Sequence, residues 1–297
     1  MPKHSCKTSA FFILFFKKLS ILEGRRDDML GYQYHRVLKE IATQTFPEDR
    51  ILSFKVEIHP KEMKSRHGDY DSSKRVIRVF NLSQRVDYTI STALHELAHH
   101  CESSLYGSTG HSKQFYSVFK SLLETAVAFG IVDYEIIRTQ DNANDINMLE
   151  KHFGSVDTES THVTPLDETV IKVFNSFSIR HLLKERGYFF DQVEKAWGKI
   201  MPTSEAEEEE RFLLNHVTEI DIAKRPLFDL TFEAIYYIFV KGGYDMRTQL
   251  QQNGYFFKQL KKTKGWAKKI VATDLRKEEQ ILKKLTINSY KVTSSLI

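Results

Sequence analysis

The stretch His95-Glu96-Leu97-Ala98-His99 decides how this chain is read. It has the form H-E-x-x-H and lies in a run of helical periodicity from Asp87 to Tyr106, where Ile90, Leu94, Leu97, Cys101 and Leu105 recur at steps of three and four. Histidines four apart on a helix sit one turn apart on one face. Two imidazoles so placed can hold one metal ion. Glu96 is turned about 100° from His95 around the helix axis, so it lies beside such an ion and not on it. A carboxylate there can take a proton from water, which is the arrangement of a zinc peptidase.

Such a site needs a third protein ligand. Twelve residues after His99 comes His111, in Gly107-Ser108-Thr109-Gly110-His111. The two glycines suit a tight turn that swings the chain back to the metal. A second helical run follows, with Phe115, Phe119, Leu122, Leu123 and Ala126 on one face and Gly130 as its C-terminal cap. Two other ligands compete with His111. The metzincin pattern wants a glycine three residues after the second histidine and a third histidine three residues later, where this chain has Glu102 and Leu105. Glu124 from the next helix is the remaining candidate, but its neighbours read as core. His100 points away from the pair and reads as a supporting or surface residue.

These residues carry a resemblance. His95-Glu-Leu-Ala-His99 followed by Gly110-His111-Ser-Lys-Gln-Phe115 resembles the SprT-like (Spartan-type) zinc metallopeptidases, and Met63 to Gly68 and Val76 to Leu82 upstream are loosely similar too. The resemblance covers residues 29–138. It implies a small zincin-like α+β fold, zinc held by His95, His99 and His111, Glu96 as general base, and protein bound to DNA as substrate.

The chain has 297 residues, 41% hydrophobic and 28% charged, enough for two or three small domains with a real core. Its net charge is only +4, but residues 241–297 hold thirteen Lys/Arg against four Asp/Glu, an excess of thirteen minus four, or +9. Such a region favours polyanions. Cys6 and Cys101 are badly placed to pair, which fits a reducing, cytoplasmic setting. The apolar run Ala10 to Phe16 is too short to span a membrane. Residues 1–28 are expected to be a disordered or loosely attached leader.

In chain order the expectation is a helix from Leu30 to Phe46, strands at Phe54–Ile58 and Arg75–Leu82 joined by a loop or hairpin through Lys61–Asp71, and then the two metal-site helices. Residues 139–165 are polar and lack sustained periodicity, so they read as a linker. Beyond it the chain repeats at an offset of 67: Ile179 to Phe190 matches Met246 to Phe257, and each copy continues to a tryptophan, Trp197 or Trp266, in a lysine setting. Each copy reads strand, helix, Gly, strand, turn, strand, helix. The divisions expected are module 1 at 166–218, a connector at 219–232, module 2 at 233–286 and a tail at 287–297.

The repeated Gly-Tyr-Phe-Phe and Trp are either core fillers or part of a nucleic-acid surface. The layout resembles loosely the HARP domain and other small modules of DNA-processing proteins. On the second reading Lys261, Lys262, Lys268, Lys269, Tyr255 and Trp266 bind single-stranded or mixed DNA. The leading expectation is a zinc endopeptidase with nucleic acid recruited by the repeats. A general metallopeptidase whose repeats bind protein, and a non-catalytic zinc-containing adaptor, are the alternatives.

Overall fold

A computed structural model describes residues 29–59, 62–63, 65–140, 143–157, 161–260 and 263–293. The expected leader, residues 1–28, lies outside the described residues. The described chain is mixed α and β, with its strands in three small sheets.

Helix α1 (Met29–Thr45) forms where Leu30, Tyr34, Val37, Leu38, Ile41 and Ala42 fall on one buried stripe. A three-stranded sheet follows: β1 (Lys55–Ile58), β2 (Gly68–Asp71) and β3 (Val76–Val79), in the order β1-β3-β2. β1 runs parallel to β3, and β2 is the antiparallel edge strand. The polar stretch before Asp71 therefore ends in a strand, because Gly68 to Asp71 can pair in register with Val79 to Val76. Helix α2 (Val86–Tyr106) carries the H-E-x-x-H run across this sheet, and Gly107, at φ 85°, closes it by donating its N–H to Ser103 O. Helix α3 (Lys113–Ala128) starts at Ser112, whose Oγ accepts from Phe115 N.

Part of the expected linker, residues 139–165, is helical. Short helices α4 (Tyr134–Arg138) and α5 (Asn144–Phe153) follow, and Ile146 and Leu149 of α5 are buried in the core shared by α1, α2 and α3. Ten residues with two buried apolar positions give too brief a period to stand out in a polar sequence. Side-chain bonds fix the helix in place: Tyr116 Oη donates to Asp145 Oδ1 and Tyr134 Oη to Glu150 Oε1.

Two four-stranded sheets complete the chain. The first has β4 (Glu168–Val173), β5 (Phe189–Asp191), β6 (Ala196–Pro202) and β7 (Ile222–Pro226), with helices α6 (Arg180–Glu185) and α7 (Thr203–Leu214) between strands. The second has β8 (Ile235–Lys241), β9 (Phe256–Leu260), β10 (Thr263–Val271) and β11 (Lys291–Thr293), with α8 (Arg247–Gln252) and α9 (Leu275–Lys284). Their orders are β5-β6-β4-β7 and β9-β10-β8-β11. Two expected boundaries fall: the connector contributes β7 and the tail contributes β11, each covering an edge that β4 or β8 would otherwise expose.

The first of these sheets is docked on α1. Asp191, 1% exposed, accepts from Leu30 N at 2.6 Å through Oδ2, capping the helix, while its Oδ1 accepts from Val193 N and Glu194 N at 2.7 and 2.8 Å. Gly198 leaves a hollow for Met29, whose Cγ would lie 2.5 Å from a Cβ there. Arg36 pairs with Glu168 through two hydrogen bonds, and Gln33 donates to the carbonyls of Leu227 and Asp229. One apolar cluster accordingly runs from Leu38, Leu97 and Leu122 to Val170, Leu227, Tyr236 and Trp266, with a smaller one under α7 around Ile171, Leu183, Tyr188 and Leu213. No helix among the described residues is long and apolar enough to cross a membrane.

Asp191→Ala uncaps α1 and leaves three buried N–H groups unpaired, so it should cost about 2–4 kcal/mol. Because the two parts share a core, denaturant unfolding should remain one cooperative transition at a lower midpoint. Separate transitions for the metal-site helices and the C-terminal sheets would show that they are not coupled.

Candidate metal centre

His95 and His99 project from the same face of α2, and the turn 107–112 brings His111 to them. His95 Nε2 lies 3.1 Å from both His99 Nε2 and His111 Nε2, and ligand atoms of the three histidines all fall within 4.8 Å of one another. A tetrahedral ion with bonds of about 2.1 Å sets its ligand nitrogens about 3.4 Å apart, close to the two short edges here. Phe115 floors the cluster, its ring centroid 4.4 to 5.1 Å from all three imidazoles.

Hydrogen bonding fixes the tautomer of His99. Thr109 Oγ1 donates to Glu102 Oε2 at 2.8 Å, so its lone pair accepts Nδ1–H of His99 at 2.7 Å. That leaves the His99 Nε2 lone pair directed at its neighbours. One proton on His95 Nε2 could satisfy only one of its two 3.1 Å contacts. A cation satisfies all three nitrogens at once, and this is the observation that fits the donor set to a metal. Burial first, and then the charge of His111, hold the His95 pKa down at about 3, and burial followed by His95 and His111 does the same to His99. Both rings are therefore neutral and ready to ligate at pH 7.

Glu102 builds the turn. It is 3% exposed and accepts three hydrogen bonds, from Thr109 Oγ1, Gly110 N and Ser112 Oγ, at 2.8, 3.0 and 3.2 Å. Sequence reasoning passed it by as a departure from another motif, yet positions 95, 99 and 102 step by four and three and so share one face. Asp145 lies on α5 with Oδ2 3.4 Å from His95 Nδ1, which takes no hydrogen bond. It sat in the stretch read as linker, where no spacing pointed to it.

Glu96 is 7% exposed and takes no hydrogen bond from any described residue. Burial raises its pKa to about 8, with Asp69 and Asp145 adding repulsion and Arg66 opposing them. It lines a cleft of about 200 Å³ together with His67, Gly68, Thr92, His95, Phe119 and Asp145. Gly68 matters to that cleft: a Cβ there would lie 2.7 Å from Thr92 Cγ2 and 3.0 Å from Glu96 Cγ.

The competing residues are accounted for. Glu124 pairs with Lys120 at 3.0 Å and is not in the histidine cluster. His100 is fully buried, donating through Nε2 to Ile51 O and accepting at Nδ1 from Tyr70 Oη, both at 2.9 Å, so it is a core anchor and not a surface residue.

The expected nucleic-acid residues fare worse. Tyr255 and Trp266 are each 3% exposed, because they fill the space between the second sheet and its helices, so neither can stack on a base. Lys268 is tied to Glu278 at 2.5 Å, whereas Lys269 is exposed. Lys261 and Lys262 lie outside the described residues. Neither models of protein families nor curated proteins give a match to this chain.

Three expectations follow for metal binding, with zinc as the probe. His111→Ala should lose most of the affinity, Glu124→Ala none, and Glu102→Ala about 10- to 100-fold. Competition against a chromogenic chelator reads all three. Metal loss on Glu124→Ala with retention on His111→Ala would reassign the third ligand.

A pH test addresses Glu96. Its folded pKa, about 8, lies above its ordinary 4.5, so the metal-free fold loses stability as pH rises through that window. Glu96→Gln removes the penalty. With chelator present, the variant should be a few kcal/mol more stable than wild type at about pH 9 and equal to it at about pH 4. Equal denaturation midpoints at both pH values would mean that Glu96 is not desolvated.

Proposed function

We propose that the chain is a zinc-dependent endopeptidase of the SprT-like type, acting on protein associated with nucleic acid. The observation that carries this reading is a three-histidine cluster beside a buried glutamate that takes no hydrogen bond from any described residue, with His95 and Glu96 lining a cleft. His95, His99 and His111 are the residues that would hold zinc. When bound, zinc supplies Lewis-acid polarisation of the scissile carbonyl and makes water acidic enough to attack near neutral pH.

The chain's own residues do the rest. Glu96 accepts the proton of the attacking water and passes it to the leaving amine. A structural metal has no use for a base in that place. Edge strand β2 borders the cleft with its outer backbone groups unpaired by the sheet order. An extended peptide laid along β2 would take backbone hydrogen bonds there, which suits cleavage within a chain and tolerance of sequence. The zincin-like character of the first part and the duplication of the C-terminal sheets belong to this same reading. The +9 charge of residues 241–297 supports recruitment of a polyanion.

The test is cleavage of an unstructured protein, and of a DNA-bound protein, by the zinc-loaded full chain. Glu96→Gln should keep its zinc and fold yet lose at least about 100-fold in rate, and chelation should stop the wild type. Undiminished proteolysis by zinc-loaded Glu96→Gln would sink the mechanism. A zinc-loaded wild type that cuts nothing would favour the adaptor.

A further inference from the structure

The second four-stranded sheet has two sides with opposite chemistry. Its register places Tyr236, Ile238 and Val240 of β8 on the same side as Trp266, Lys268 and Ile270 of β10. That side packs on Leu250 of α8 and on Leu275 and Leu282 of α9. On the other side, one row crosses all four strands as successive partners: Lys291, Phe239, Ala267 and Phe256. The rows flanking it are Tyr237 with Lys269, and Lys241 with Gly265 and Lys258.

Among its described strand residues this side carries cations and aromatic rings and no acid. Lys241, Lys258, Lys269 and Lys291 are all exposed, and none is in an ion pair among the described residues. Phe256 is 45% exposed and Tyr237 is half-buried. Phe239 is buried against the strand at Gly265, where a Cβ would come within 2.8 Å of its Cζ.

The first sheet shows what the matching row does when a helix covers it. There the row is Lys172, Gly198 and Phe189, and the hollow at Gly198 receives Met29 of α1. In the second sheet Phe239 and Phe256 flank Ala267 in that place, and four lysines surround them. An aromatic surface ringed by free cations complements an anion that also carries flat apolar faces.

We propose that this side of the second sheet binds single-stranded nucleic acid, with Phe256 and Tyr237 stacking on bases and Lys241, Lys258, Lys269 and Lys291 contacting phosphates. The inference rests on the reading that the C-terminal part recruits nucleic acid, and it moves the contacts from Tyr255 and Trp266 to residues that solvent reaches. A single strand is specified because only unstacked bases offer their faces to a ring on a sheet. A duplex would leave Phe256 unused.

The experiment is fluorescence anisotropy of the full chain with a labelled oligo-dT and with a duplex of equal length, over a range of salt. The single strand should bind tighter, with a slope of log affinity against log salt of about −3 for four phosphate contacts. Phe256→Ala should weaken binding about tenfold and leave the slope alone. Lys258→Ala with Lys269→Ala should make the slope shallower by about 1.4. Lys264→Ala, on the opposite side of the sheet, should change neither, and thermal midpoints should show every variant folded. Binding that survives all the face variants unchanged would overturn this assignment and leave recruitment standing elsewhere on the chain. Duplex bound as tightly as single strand would overturn it too. A wild type with no affinity for either probe at low salt would remove recruitment itself, and the cleavage of unstructured protein would still judge the peptidase separately. Self-association lost on Phe256→Ala, without oligonucleotide binding, would assign the face to protein contact instead.

Discussion

The Glu102 carboxylate is the constraint on which the site depends. Three histidines bring nothing together unless the turn bearing the third is held against the helix bearing the other two. Residues 107–112 are exposed and have little apolar surface to bury, so packing cannot hold them. One buried acceptor does so instead, gathering Thr109, Gly110 and Ser112 and, through Thr109, setting the tautomer of His99. Burying an acid is costly unless its oxygens are satisfied, and here the donors come from the segment that must be placed. Ser112 then caps α3, which sets Phe115 beneath the imidazoles. Turn, ligand tautomer and floor thus share a single anchor.

Desolvation ties the site's electrostatics together. It lowers the pKa of His95 and His99 and raises that of Glu96, so every one of these groups is driven toward its neutral form. An added cation reverses the balance for the carboxylate and leaves the histidines as they are. Gly68 keeps this environment possible, since any side chain at that place on β2 would press on Thr92 and Glu96. The same glycine lets an edge strand run directly along the helix that carries Glu96.

Much of this was legible in the residues, and the exceptions have physical reasons. His95, Glu96, His99 and His111 stood out because a metal site with a base beside it demands particular residue types at particular spacings, and α2 starts within a residue of the expected Asp87 and ends at the expected Tyr106. Helix α5 did not stand out, because its buried pair Ile146 and Leu149 is held by tertiary bonds from Tyr116 and Tyr134 and not by a long periodic stripe. Strands β7 and β11 were missed for a related reason: their burial is modest, and what defines them is the unpaired edge of a strand far earlier in the chain. The doubled Gly-Tyr-Phe-Phe was visible, but which of its rings faces water is decided by sheet register. In the second copy Tyr255 is buried, while Phe256 and Phe257 lie on opposite sides of the sheet, Phe257 beside Trp266 and Phe256 beside Ala267, and both are partly exposed.

Contacts between the metal-site part and the C-terminal sheets change what the proposed recruitment would mean. A nucleic-acid module on a long linker raises the local concentration of substrate over a wide volume, with little control of direction. Here Asp191 caps the first helix of the metal-site part, Gly198 seats Met29, and Phe129 stacks on Phe228 at 4.6 Å. Tyr236 of the second sheet also donates to Glu62 beside the three-stranded sheet. The C-terminal sheets are therefore fixed with respect to the cleft. A polyanion held on the second sheet would stand at a set distance and angle from His95 and Glu96, so substrate choice would follow from geometry: a protein is presented to the base only if its own position on the strand brings an extended segment to β2.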